Sequence, residues 1–330
     1  MARTRYASDP GLIARMGATM FLLGVVFVGL IVGLFYVLDI YSRRSSSGGG
    51  TSTTAFVVLA AIIGIGAAFA SYYWSDKIAL RASGARLVTP DDGPDAARLH
   101  AVVDRICALA DMPKPRVAIA PTAMPNAFAT GRSTKVAVVC ATSGLLNKLD
   151  DNEELEGVLA HEMSHVAHKD VAVMTVASFL GIVAALLVRF AFYGELFGGG
   201  GRGRNNNGNN QGALPVIFIV MIVGMVTYAV SFLLIRLLSR YRELSADRSA
   251  ALLTGQPSKL ASALIKVTGD MARIPTRDLR TAEPLNAFYF APALSARPGQ
   301  QLSLSQIFST HPSLEKRLAQ LEKISKQLSQ

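Results

Sequence analysis

Residues 153–190 read EELEGVLAHEMSHVAHKDVAVMTVASFLGIVAALLVRF, and two patterns in that stretch decide the fold. Its first half has acidic residues in an opening helical turn and paired histidines further along. Its second half opens a run, residues 171–193, in which Arg189 is the one charge. A polar helix thus feeds into a segment long enough to cross a bilayer, roughly 20 residues.

Three similar runs lie elsewhere. Residues 18–38, 52–74 and 213–235 carry no charge at all. One such run can be a buried core helix; four together predict four transmembrane helices. The first is too long and unbroken for a signal-peptide core, and no A-x-A-like site follows it. The composition agrees. Charged residues make up 17% of the 330 and mean hydropathy is +0.35, whereas about a quarter of an average soluble chain is charged. A disordered chain, a disulfide scaffold and an ordinary soluble enzyme are excluded; Cys107 and Cys140 have no CxxC spacing.

Basic flanks orient the spans. Arg3, Arg5 and Arg15 precede the first, Lys77, Arg81 and Arg86 follow the second, and Arg236, Arg240 and Arg242 follow the fourth. The opposite loops hold Arg43, Arg44, Arg202 and Arg204. The bias puts both termini inside. The expected order is an inner stub at 1–17, an outside loop at 39–51, a soluble block at 75–170, a Gly/Asn-rich outside loop at 194–212, and a second inner block at 236–330. The net charge of +10 concentrates in that last block, where it faces anionic head groups. The block bearing the histidines is slightly acidic, so nucleic acid is not an expected partner.

Within the first soluble block, Leu99, Val102, Val103, Ile106 and Leu109 mark an amphipathic helix over 91–111. Short strands are expected at 115–121 and 135–141. Asp150, Asp151 and Asn152 offer N-caps to the next helix. The block has α+β character.

That next helix contains His161-Glu162-Met163-Ser164-His165, an HExxH. Positions i and i+4 stand one above the other on a helix, so His161 and His165 can grip one ion. Zinc with three protein ligands and an open position lowers the pKa of bound water to about 7, and Glu162 stands beside it as general base. Chance placement of this chain's histidines and glutamates yields an HExxH in roughly 0.2% of sequences. His168 lies too far around the helix to be the third ligand and is expected to face solvent or head groups. Glu243 is the better candidate, with Asp247 one turn later to accept a hydrogen bond from a ligating imidazole. Topology supports the choice: His165 lies shortly before the third span and Glu243 shortly after the fourth. At 1.5 Å per residue both stand roughly 10 Å beyond the bilayer edge, on the same side.

NAFATG at 126–131, LAHEMSHVAHKD at 159–170, SRYRELSADRSA at 239–250 and STHPSLEKRLAQL at 309–321, in that order around a two-span insertion, resemble the HtpX family of bacterial membrane zinc endopeptidases. The resemblance implies an α+β membrane protein, with four transmembrane helices and a zincin-like, mainly helical catalytic domain containing a small β-sheet. It implies one zinc ion held by His161, His165 and Glu243, with Glu162 as base, in a multi-pass protein of the bacterial cytoplasmic membrane. Its catalytic domain would be cytoplasmic, acting on misfolded or damaged membrane proteins. Asn126, Ala127 and Phe128 match the strand beside the family's cleft, where substrate backbone would add as a further strand. His311 and Arg317 match a pair that would stabilise the developing oxyanion. Asp170 matches the pattern in a structural position. A reading from another class is a non-catalytic membrane scaffold or chaperone with a structural zinc site; Glu162 argues against it, because a closed site has no use for a base there.

Overall fold

The computed structural model describes residues 10–44, 50–179, 181, 182, 185, 213–271 and 311–330. The loop at 194–212 and most of the second half of the third apolar run lie outside these residues. In chain order the elements begin with α1 (Pro10–Arg44), α2 (Gly50–Ser83), β1 (Arg86–Leu87), α3 (Pro94–Ala110), β2 (Arg116–Ala120) and β3 (Ala127–Thr130). They continue with β4 (Val138–Thr142), α4 (Ser143–Lys148), α5 (Asn152–Ala167), α6 (Asp170–Phe179), α7 (Ala213–Thr254), α8 (Pro257–Met271) and α9 (Leu314–Leu328). The chain is mostly helical with a small mixed sheet.

Two units divide it. One comprises Met1–Met16, Ser71–Val173 and Arg236–Gln330; the other comprises Gly17–Ala70 and Met174–Ile235. In the second unit the usual order of side chains is reversed. Phe21, Val28, Val32, Ile62, Phe69, Met225 and Val226 are exposed, whereas Thr19, Thr227 and Ser231 are buried. Such a surface suits a hydrocarbon solvent, in which outward apolar groups cost nothing and polar groups must turn inward. Among the described residues, two helical windows are long and apolar enough to cross a membrane, Ile13–Leu30 and Met221–Thr254. Residues 39–44, expected in an outside loop, are the last turns of α1. No helix breaker occurs there, so the polar side chains mark a change of surroundings and leave the helix intact.

In the first unit the sheet order is β1-β2-β4-β3: β2 and β4 are parallel, with β1 and β3 antiparallel at the edges. Side chains alternate across it. Val117, Ala127, Val139 and Ala141 join the main core with α3, α5 and α8. Ala118, Ala120, Phe128, Val138 and Cys140 form a smaller core on the other face, with Ala79 from the end of α2. Gly131, at φ 134°, ends β3; a side chain there would strike the Ala137 backbone at 2.8 Å.

α5 runs through the middle of this unit, with 12 of its 16 residues buried. Asp151 caps it by accepting the Glu153 N–H at 2.8 Å, and Glu153 and Glu154 oppose the positive end of its dipole. Gly157 lets the α8 backbone approach: an added Cβ would sit 3.2 Å from the Leu260 Cα. At the other end His168 is the C-cap and Lys169 is left-handed, at φ 57°. The chain therefore turns before α6 instead of running straight into it.

Phe128 is 4% exposed within the smaller core. Phe128→Ala should cost about 3–5 kcal/mol of stability, read as a lower unfolding midpoint in detergent. An unchanged midpoint would remove it from the core.

Candidate metal centre

α5 carries His161 and His165 one turn apart, their rings edge-on with centroids 4.9 Å apart. α7 lays Glu243 across them. Its carboxylate oxygens lie 3.5 Å from His161 Nε2 and 3.4 Å from His165 Nε2, and the three donor atoms all fall within 4.8 Å of one another. A tetrahedral ion with bonds of about 2.1 Å holds neighbouring ligand atoms about 3.4 Å apart. Two imidazoles and one carboxylate are also a donor set that suits zinc. The residues fit the ion.

Each imidazole has a carboxylate behind it. Asp247 Oδ1 lies 2.9 Å from His161 Nδ1, and Asp170 Oδ2 lies 2.6 Å from His165 Nδ1. An Nδ1–H given to a carboxylate leaves the Nε2 lone pair aimed at the centre, and it fixes the ring plane. Each carboxylate in turn holds an arginine. Arg317 donates from Nε and Nη2 to Asp247 at 2.7 and 2.6 Å, while Arg242 Nε lies 2.9 Å from Asp170. His311 Nδ1 stands 3.1 Å from Glu243 Oε2.

These neighbours govern the charges. Burial alone would raise the Asp170 carboxyl, but Arg242 and His165 outweigh it and hold it at about 2. Burial likewise opposes charge on Asp247 and Glu243. Arg317 overcomes it for Asp247, and His311 with His161 and His165 does so for Glu243, so both stay below the ordinary carboxylate range. Burial disfavours a charged His165, yet Asp170 and Glu243 lift it to about 10. The ring of carboxylates thus demands positive charge between the two imidazoles. Glu162 differs: burial dominates and pushes it above the ordinary range. Its Oε2 accepts the Ala129 N–H from β3 at 3.3 Å.

The expected site residues separate into several groups. His161, His165 and Glu243 converge on one point, with Asp247 behind His161 and Glu162 beside it on the Ala129 N–H. Arg317 lies behind that point, 2% exposed with its guanidinium on Asp247, and His311 is against Glu243. Asn126 spends its N–H and carbonyl on Thr142, at 2.9 Å in each case, so its backbone pairs inward across the sheet. Hydrogen-bonding direction alternates along a strand; Ala127 and Ala129 therefore turn their backbone groups away from β4, where the Ala129 N–H meets Glu162, while Phe128 is committed to the smaller core. His168 is half-buried at the end of α5, not turned out to solvent. Asp170, expected as a structural residue, touches the His165 imidazole.

Residues 94–325 match the family described as Peptidase family M48. The chain belongs to it, within the HtpX family. Protease HtpX homolog 1 of Streptomyces coelicolor is 54% identical, covering 99% of this chain and 97% of its own. Protease HtpX homolog of Moorella thermoacetica is 46% identical over 99% of both chains. Protease HtpX homolog 2 of Methanosarcina mazei is 47% identical, over 99% of this chain and all of its own. The matched residues run from the start of α3 almost to the end of α9, and so include every group of the centre.

In this HtpX-family chain, Asp170→Asn removes the charged acceptor behind His165 and leaves Arg242 without its counter-ion. Metal affinity should fall about 10–100-fold, measured by equilibrium dialysis against a chelator. Wild-type affinity would mean that Asp170 does not orient the ring.

Proposed function

We propose that this chain is a zinc-dependent endopeptidase of the cytoplasmic membrane, hydrolysing peptide bonds in misfolded or damaged membrane proteins. One observation carries the reading: His161, His165 and Glu243 present three donor atoms within 4.8 Å of one another, with Glu162 next to the first histidine in the chain and held against an edge strand. When bound there, zinc lowers the pKa of a water to about 7 and draws charge from a scissile carbonyl.

The chain's own groups do the rest. Asp247 and Asp170 take the two Nδ1 positions, so that Nε2 is the nitrogen each ring turns to the metal, and fix the rings in plane. The Ala129 N–H steadies the Glu162 carboxylate, which takes a proton from the attacking water and passes it to the leaving amine. A raised carboxyl pKa suits that exchange, because the group must hold a proton briefly near neutral pH. Along β3, the outward backbone groups of Ala127 and the carbonyl of Ala129, whose N–H is on Glu162, offer an edge on which an extended substrate segment lies as a further strand. An extended segment is what an unfolded protein supplies. Pairing through the main chain also recognises no particular sequence, in keeping with a substrate class defined by loss of fold.

The membrane assignment rests on the four apolar runs and on the outward apolar surface of the second unit. The inward orientation of both termini rests on the basic flanks. A structural zinc site is the weaker alternative, because Glu162 is adjacent to the ligands and takes no part in holding them.

Purified in detergent, the wild type should contain one zinc per chain and cleave an unfolded reporter. Glu162→Gln should keep the zinc and lose cleavage by about 10²-fold or more. Turnover equal to wild type in that variant would end the proposal.

A further inference from the structure

Arg317 is among the largest fully buried side chains of the protein, and the sequence pattern casts it as a stabiliser of the oxyanion. We infer instead that Arg317 is a positioning residue, acting through Asp247 on the ligand His161. The helix α9 that carries it is then a structural part of the metal centre. The inference rests on the zinc peptidase reading above.

The geometry separates the two roles. An oxyanion donor must present an N–H to the place where a substrate carbonyl develops charge. Arg317 gives Nε and Nη2 to the two oxygens of Asp247, at 2.7 and 2.6 Å, which is the bidentate fork that suits a carboxylate. Asp247 is itself 0% exposed and 2.9 Å from His161 Nδ1. A charged pair this deeply buried holds its geometry, since parting the groups would leave both uncompensated.

The attachment of α9 points the same way. One turn beyond Arg317, Gln320 Nε2 donates to the Leu244 carbonyl at 2.8 Å. Arg317 and Gln320 on α9 thus meet Asp247 and Leu244 on α7, three residues apart on each helix. Leu321 and Ile324 continue the same face into the main core. α9 packs along α8 and is tied by these two side chains to the helix that carries Glu243, and its guanidinium is the last link of a chain running Arg317–Asp247–His161.

The test compares Arg317→Met, Asp247→Asn and the double variant in the full-length protein. Zinc dissociation constants come from chelator competition, and kcat and KM from the zinc-saturated protein. Positioning predicts a 10–100-fold loss of zinc affinity in each single variant, with the double variant no worse than the poorer single one. In the zinc-saturated protein, kcat should fall by a smaller factor than zinc affinity does. Should Arg317→Met fail to fold with Asp247 left unpaired, the double variant, which buries no unpaired charge, carries the comparison. Wild-type zinc affinity in the double variant, or a kcat loss of 100-fold at unchanged zinc affinity, overturns the inference. Failure of the wild type itself to bind zinc would instead overturn the functional proposal.

Discussion

Burying charge is costly unless each charge meets its opposite, and this centre buries many. Asp170, Glu162, Glu243, Asp247 and Arg317 are all withdrawn from water around two imidazoles. The solution is two parallel series, Arg317–Asp247–His161 and Arg242–Asp170–His165. Each alternates sign, and each ends in a ring nitrogen directed at the same point. Both series therefore require four helices to meet: α5 for the rings, α6 for one carboxylate, α7 for the other, and α9 for the outer guanidinium. Packing that moved any of them by an ångström or two would strand a charge.

The sheet does a different job. Its two faces serve two cores, so the alternation along β3 has no freedom to slip by one residue without driving Phe128 into the main core and leaving only an alanine to fill the smaller one. That fixed register turns the Ala129 N–H toward α5, where it meets Glu162. Glu162 is held by backbone, the two imidazoles by charge. Backbone placement suits the base proposed for this position, because a peptide N–H neither titrates in this range nor changes rotamer.

How much of this was legible depended on how local the signal was. His161, Glu162 and His165 announce themselves because helical spacing alone brings them together. Glu243 with Asp247 is legible for the same reason, once the two apolar runs between the motifs are read as a return trip. Asp170 was not, because its role depends on a left-handed residue at Lys169. That residue breaks the helix and returns the carboxylate to a ring five positions back, and no motif marks a lysine for that conformation. The Arg317–Asp247 pair is likewise illegible locally: the two residues are 70 positions apart, and a buried arginine and a catalytic arginine look alike in sequence. Asn126 and Phe128 show a third limit. A strand can be recognised without knowing which of its residues face the open edge, and neighbouring strands decide that.

α7 concentrates the consequences. Arg242, Glu243 and Asp247 sit at consecutive and one-turn positions on one continuous 42-residue helix, so their directions are set jointly. Glu243 and Asp247 share a face and reach the His pair and its backing site together. Arg242, about 100° around the helix, meets Asp170 at the start of α6 instead. Within the first unit, one helical segment thus carries a candidate donor, the acceptor behind His161 and the counter-ion of Asp170. A turn of that segment that misdirected one of the three would misdirect all of them, so its rotation is fixed by three buried charges at once.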